Sequence, residues 1–330
     1  MGQSILIAGS ANLDFVVRAA HAPAAGETVL GRDLATFPGG KGANQAVACA
    51  RAGAKTRMLL ALGDDPYAAP LETSLRDAGV ELHIVRAEGS ATGTAFICLS
   101  DNAENAITVA PGANNALRAE HLPPMDGVGH LLMQLETPIE TVVAFATAAH
   151  AAGIRVVLNA APARELPPTL LDALDVLIVN EGELATITGI RGNIAQALER
   201  LHVRCVIVTL GALGACARVE GEFHLQAAYP VAAVDTTGAG DTFCGTFTAA
   251  LSAGIDLPRS LARASAAGAL ACTRLGAQSS IPSSSEVDDF LAAHPADADT
   301  ARAVRKLADY CGVELDFLRL MLPWTAAAIG

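Results

Sequence analysis

Short apolar runs ending in polar or glycine-rich residues alternate along this chain with alanine-rich segments of helical periodicity. The clearest are SILIAG (4 to 9), HLLMQLE (130 to 136), RVVLNAA (155 to 161), VLIVNE (176 to 181) and CVIVTLG (205 to 211). Unbroken apolarity is what a strand needs when both of its faces are covered, so the pattern predicts a mostly parallel sheet, doubly wound, with helices on both faces. In open α/β sheets ligands lie beyond the carboxyl ends of the strands. Asn12 and Asp14, Glu136, Asn159, Asn180 and Thr209 all fall there.

Two stretches break the alternation. Residues 10 to 37 hold short strand-like pieces around GETVLG, and residues 92 to 110 hold TGTAFICLS and NAITVA. Both read as β-structure outside the main sheet, together a small lid able to exclude water over the strand ends and to pair with a second subunit. SSIPSSSEVDD (279 to 289) reads as a surface turn and helix start. Beyond HPADADT, Val304, Leu307, Cys311, Leu315 and Leu318 recur at helical spacing, which predicts a helix docked on the domain or on a partner subunit. The expected division is one domain over 1–291 and a helical extension over 292–330.

Composition narrows the function. A chain of 330 residues can bury a sizeable core, and seven scattered cysteines without a C-x-x-C pair fit reduced thiols in a cytoplasm. Eight histidines lack H-x-x-x-H or H-E-x-x-H spacing, and each reads as a surface residue rather than a transition-metal ligand. A net charge of -12 argues against a nucleic-acid partner, because a phosphate backbone calls for clustered Lys and Arg. Mean hydropathy is +0.38, largely from alanine, and charges interrupt every apolar stretch before it reaches membrane-spanning length. The opening MGQSILIAGSANLD has no basic n-region and reads as a strand; Leu6 stands where a myristoylation motif wants Ser or Thr.

Several strings carry candidate chemistry. In VDTTGAGDTF (234 to 243) small residues precede a helical pattern, so uncovered amides and the positive helix start suit an anion, with Asp241 beside them. In FPGGKGANQAVACARAG (37 to 53) three glycines surround Lys41; Gly42 follows the lysine where a Walker A loop needs Ser or Thr, so it is not that loop. Its glycines let backbone approach a ligand, and Lys41 and Asn44 can donate to ligand oxygens; a solvated glycine turn is the plainer reading. Asn12 and Asp14 alternate after the first strand and suit paired sugar hydroxyls, or else form an Asx-turn. Thr137, Pro138 and Glu140 read as a helix cap with a capping box, which leaves Glu136 free for a ligand. Asn180 and Glu183 form N-x-x-E, a spacing that can hold waters around Mg2+ but reads first as a cap. TLGALG (209 to 214) ends a strand with glycines able to flank a nucleotide.

Taken in order, SANLD, GETV, FPGGKGANQAVA, MQLETP, NAAPARELP, NEGELATITGI, VTLGALG, VDTTGAGDTF and TRLGAQSSIP resemble the ribokinase-like carbohydrate kinase family over about residues 4 to 291. The resemblance implies a doubly wound sheet, a β-lid that serves in homodimer contacts, and ATP-dependent phosphorylation of ribose at its 5-hydroxyl. It makes Asn12, Asp14, Gly40, Lys41, Asn44 and Glu136 the sugar contacts, Asp241 the catalytic base, and Gly238, Ala239 and Gly240 the anion hole. Asn180, Thr209, Gly211, Gly214 and Gly240 would lie along ATP, with Asn180 and Glu183 acting on Mg2+ through water. A K+ site is implied at Asp235, Thr237, Ala271, Arg274, Gly276 and Ser280, mostly through carbonyl oxygens. Gly238 stands where the family often has alanine, Thr246 is another departure, and the segment from about 292 has no counterpart.

Phosphoryl transfer needs an in-line alcohol, stabilisation of charge on the γ-phosphate oxygens and an acceptor for the alcohol proton. The turn at 238 to 241 offers the last two. A kinase for another pentose or a nucleoside, such as deoxyribose or adenosine, is the alternative within the class. A non-catalytic sugar-binding relative would have lost Asp241 or the glycines, and both are present. A nicotinamide-dependent oxidoreductase would need G-x-G-x-x-G after the first strand, where GSANLD stands.

Overall fold

In the strand Ser4–Ala8, Leu6 and Ala8 join one apolar core while Ile5 and Ile7 join another. Successive side chains of a strand point to opposite faces, so a run that is apolar throughout has to be covered twice. The computed structural model of this protein describes residues 3–100 and 105–314. Its strands run β1 (Ser4–Ala8), β2 (Asn12–Ala19), β3 (Asp33–Gly39), β4 (Thr56–Leu62), β5 (Glu81–Arg86), β6 (Gly93–Ser100), β7 (Asn105–Ala110), β8 (Val128–Met133), β9 (Arg155–Asn159), β10 (Val176–Asn180), β11 (Cys205–Thr209), β12 (Gly214–Val219) and β13 (Glu222–Ala227). The main sheet has the order β13-β12-β11-β10-β9-β8-β1-β4-β5. From β5 to β11 every pairing is parallel, and β12 and β13 add an antiparallel hairpin at the edge.

The helices are α1 (Lys41–Arg51), α2 (Ala68–Asp77), α3 (Ile139–Ala151), α4 (Pro168–Asp172), α5 (Glu181–Thr188), α6 (Ile194–Glu199), α7 (Ala239–Ser252), α8 (Leu257–Cys272), α9 (Ala277–Ser280), α10 (Ser284–Ala293) and α11 (Ala298–Cys311). Phe145 of α3, Leu184 of α5 and Leu198 of α6 close one face. Val47 of α1, Phe247 of α7 and Leu261 of α8 close the other. The expected doubly wound sheet is therefore present. Strand order reverses between β8 and β1, and α1 and α7 pack on each other beside that switch point, where ligands bind in such sheets.

The second sheet has the order β3-β2-β6-β7. It holds the two stretches read as a lid, except that GETVLG lies in the loop between β2 and β3 and pairs with neither strand. Residues 101 to 104 of the second stretch lie outside the described residues. Leu34, Phe96, Ile107 and Val109 of this sheet are large apolar side chains left exposed.

Other expectations need correction. Thr137 does not cap α3: the cap position falls on Pro138, whose carbonyl accepts the Thr141 and Val142 amides, and no side chain caps the helix. His130 is not at the surface. It is buried on β8, in register with Ile5 of β1 and Arg155 of β9, with neither ring nitrogen hydrogen-bonded. In SSIPSSSEVDD, Ser283 does start a helix, capping α10 with Glu286, but Ser280 and Ile281 are buried. Leu307 and Cys311 of α11 dock into the core beneath α6 and the β12–β13 hairpin. Val304 is half-buried, and Leu315 and Leu318 lie outside the described residues.

Candidate active site

The carboxylate of Asp241 is held by two amides from α1. Asn44 Nδ2 donates to its Oδ2 at 2.9 Å and Gln45 Nε2 donates to its Oδ1 at 2.9 Å. Gln45 also donates to Asn159 Oδ1 at 3.0 Å and accepts from Gln134 Nε2 at 2.7 Å, so the ends of β8 and β9 fix the amide that fixes the acid. Hydrogen bonds to an ionised group are the strong ones, and here each carboxylate oxygen has one. Asn44 and Gln45 reach Asp241 because α1 and α7 approach closely at Gly245. A Cβ on Gly245 would lie 2.5 Å from Ala48 Cβ and 2.6 Å from the Gln45 carbonyl.

The expectation that Asn44 donates to a ligand changes accordingly. Its amide nitrogen is committed to Asp241, and its buried Oδ1 is left without a partner. What Asn44 offers a ligand is an acceptor, which suits a hydroxyl.

Around this pair the other sugar-side positions converge. Asn12 and Asp14 lie on β2, both buried. Asn12 Oδ1 accepts from Asn114 Nδ2 at 2.7 Å, and Asn114 is itself anchored by the Ala11 amide, which leaves Asn12 Nδ2 to donate. Burial pushes the Asp14 carboxyl up to about 7, helped by the charges of Glu136 and Asp241. Glu136 Oε2 accepts from Ser10 Oγ at 2.5 Å and from the Lys41 amide at 3.1 Å. Gly40 has φ +89°, and a Cβ there would lie 2.7 Å from the Asn12 amide nitrogen; the string is a packed joint between β1, β2 and α1, not a solvated turn. The Lys41 ammonium is held above its ordinary value by the Asp241 charge, against burial, with Glu136 and Glu183 adding to it.

At the head of α7, Gly238 adopts φ +73° and no side chain caps the helix. The Ala239 amide is committed to the Thr236 carbonyl at 3.2 Å, whereas among the described residues the amides of Gly238, Gly240 and Asp241 have no protein acceptor. A Cβ on Gly240 would meet nothing within 4 Å. Packing therefore does not account for that glycine, and open space beside free amides at a helix start has the chemistry that suits an anion.

The nucleotide-side positions lie along the same sheet edge. Asn180 and Glu183 form a capping box on α5: Asn180 Oδ1 accepts the Glu183 amide at 2.8 Å and Glu183 Oε2 accepts the Asn180 amide at 2.7 Å. Burial raises the Glu183 carboxyl and the Asp241 charge adds to that, opposed by the Asn180 amide and Lys41. Thr209 Oγ1 donates to the Val179 carbonyl at 3.4 Å. Gly211 opens the short turn before β12. A Cβ on Gly214 would lie 2.1 Å from the Gln226 carbonyl, so packing against β13 alone requires that glycine.

The six positions expected around a monovalent cation come from two segments that are cross-tied. Asp235 accepts the Thr237 and Gly276 amides, each at 2.9 Å, and the Cys272 carbonyl accepts the Val234 amide at 2.7 Å. Burial raises the Asp235 carboxyl, but these hydrogen bonds outweigh it and hold it below the usual value. The side chains of Arg274 and Ser280 are engaged elsewhere, with Glu286 and the Ala277 carbonyl, and Ala271 is buried.

Sequence reading passed over Ser10, Gln45, Asn114, Gln134 and Gly245, and saw Asn159 only as a polar strand end. A glutamine inside the apolar run HLLMQLE was the available signal, since a buried amide has to be paired.

Comparison with known proteins identifies the family. Residues 3–284 match the pfkB family carbohydrate kinase. Ribokinase of Haemophilus influenzae is 36% identical over 303 residues, covering 88% of this chain and 99% of its own, and ribokinase of Bacillus subtilis is 37% identical over 294 residues, with the same two shares. The structure of Arabidopsis thaliana ribokinase complexed with ribose and ATP superposes with a TM-score of 0.82 at 33% identity, covering 88% of this chain and 99% of that one. With an acid gripped by two amides beside an uncapped glycine turn, and with relatives that share nearly their whole length with it, the chain belongs to the pfkB family of carbohydrate kinases.

Proposed function

We propose that this kinase transfers the γ-phosphoryl group of ATP to the 5-hydroxyl of D-ribose. The observation that carries the reading is the double amide clamp on Asp241 beside the free amides of Gly240 and Asp241. Asn12 Nδ2, the Asn44 Oδ1 acceptor, Asp14, Glu136 and Lys41 bind the sugar hydroxyls and hold the acceptor in line. The sugar oxygen forms its bond to the γ-phosphorus as the bridging P–O bond breaks, ADP leaves, and the hydroxyl proton passes to Asp241. The free amides of Gly238, Gly240 and Asp241 stabilise the charge on the transferring group. Base assistance of this kind is worth about 10²- to 10⁴-fold. Asn180, Thr209, Gly211 and Gly214 are read as the positions along the nucleotide.

Mg2+ fits beside Glu183, whose buried carboxylate is repelled by Asp241. Asn180 and Glu183 would hold it through water, and when bound it neutralises phosphate charge. K+ fits the cross-tied segments of Asp235, Thr237, Ala271, Arg274, Gly276 and Ser280, which would offer it carbonyl oxygens, and when bound it would supply positive charge to a site that handles anions. The exposed apolar residues of the four-stranded sheet support a homodimer formed through the lid. Seven unpaired thiols fit the reducing cytoplasm. The kinase domain is read as 1–291, with 292–330 an extension, in keeping with a family match that ends at 284.

The test is ATP consumption with ribose, deoxyribose, fructose and adenosine, each with and without K+. Ribose is expected to give the highest kcat/KM, and K+ to raise the rate over Na+. A tenfold preference for any of the other three sugars or nucleosides over ribose overturns the substrate assignment.

A further inference from the structure

Arg51 is the last residue of α1, at the far end of the helix from Lys41. A basic residue there ordinarily serves the helix dipole or its orphan carbonyls. In this helix the backbone does that work: the Ala52, Gly53 and Ala54 amides bond the Ala48, Ala50 and Cys49 carbonyls. The half-buried Arg51 side chain turns away instead, and its Nη1 donates to the carbonyls of Gln278 and Ile281, each at 2.7 Å. These two carbonyls bracket Ser280. Gln278 is held a second time, by Ser74 Oγ on its Oε1 at 2.6 Å.

The turn so gripped abuts the site. The Gly276 amide binds Asp235, and the Cα of Ala277 lies 3.1 Å from where a Cβ on Gly238 would stand. A permanently charged guanidinium with two carbonyl partners is a stiff link, and a carbonyl cage for a monovalent cation depends on the shape of its backbone.

We propose that Arg51 is a positioning residue that couples the sugar-side helix α1 to the turn 276–281, and so keeps the cation-side carbonyls and the Gly238 turn in register. The inference rests on the cation reading above and deepens it: one helix carries Lys41, Asn44 and Gln45 at its start and braces the cation turn with its end.

The experiment uses the full chain with Arg51→Met, which keeps much of the apolar stem, and Arg51→Lys, which can satisfy one carbonyl. K+ half-activation, ribose KM and amide hydrogen exchange across 274–281 are measured on each. Arg51→Met is expected to raise the K+ needed for half-activation roughly tenfold, the size of one lost charge-assisted hydrogen bond, with ribose KM within about twofold of wild type and faster exchange in 274–281. Arg51→Lys is expected to fall between. An unchanged K+ requirement in an enzyme that K+ does activate overturns the proposal. If the wild type ignores K+, the cation reading fails by itself, and exchange then decides: faster in Arg51→Met upholds the coupling and unchanged overturns it. Should Arg51→Met not fold, wild-type exchange and half-activation in Arg51→Lys overturn it.

Discussion

Gly245→Ala tests how the base is held without touching the base. A Cβ at 245 would sit 2.5 Å from Ala48 Cβ and 2.6 Å from the Gln45 carbonyl, whereas ordinary contact begins at about 3.5 Å. To admit one methyl group, α1 and α7 have to separate by roughly 1 Å, since the obstacle at 2.6 Å is backbone. The bonds from Asn44 and Gln45 to Asp241, each 2.9 Å, would then stretch to nearly 4 Å and cease to be hydrogen bonds. Overpacking of this kind costs about 1–3 kcal/mol of stability, and a misplacement near 1 Å costs about 10²-fold in rate. Coupled measurement of ADP release should show kcat reduced about 10²-fold, with Tm several degrees lower. Turnover within twofold of wild type and an unchanged Tm would mean that the helix contact does not set the geometry of the acid, and the reasoning would be wrong.

Three further expectations concern other parts of the molecule. Gly240→Ala should leave Tm unchanged or slightly raised, because a Cβ there meets no protein atom and alanine favours a helix, yet lower kcat tenfold or more if the space belongs to the phosphate; full activity in a coupled assay would contradict this. Asp14 carries a carboxyl raised to about 7, so it is neutral at pH 6 and ionised at pH 8 in the free protein. Apo stability should decline as pH rises from the unfolded value toward 7, while ribose affinity by calorimetry should rise about tenfold per unit as pH climbs toward 7 and should be flat in Asp14→Asn. Burial, with the Arg155 charge, holds His130 down at about 4 against a weaker pull from Asp175. The unfolded chain takes up that proton first, so stability is lost as pH falls from about 6.5 to 4, about 2 kcal/mol by pH 5; denaturant titration of His130→Leu should lack that slope.

The sequence made the central strands readable because β1, β8, β9, β10 and β11 are buried on both faces and read as unbroken apolar runs. β5 escaped notice because only one of its sides pairs and its residues are half-exposed or exposed, so the run ELHIVR carries no such signal. GETVLG failed for a related reason: valine and leucine beside threonine have strand propensity, but no neighbouring strand offers that segment a ladder. In the site, residues with an unusual local string were legible, Asp241 and Lys41 above all. Gln45, Gln134 and Asn159 were not, because their importance lies in one another. They are distant in sequence, and only the packing of α1 across the ends of β8 and β9 brings the three amides into a chain. Gly245 was invisible for the same reason, since the atoms that need it small belong to another helix.

The most direct measurement is single-turnover phosphorylation of ribose by Asp241→Asn, with ribose and ATP binding followed separately by calorimetry. An amide of the same shape keeps the space but takes up no proton. Both ligands should bind within a few-fold of wild type while the chemical step slows by about 10²- to 10⁴-fold. A chemical step near the wild-type rate would contradict the assignment of Asp241 as the group that receives the hydroxyl proton.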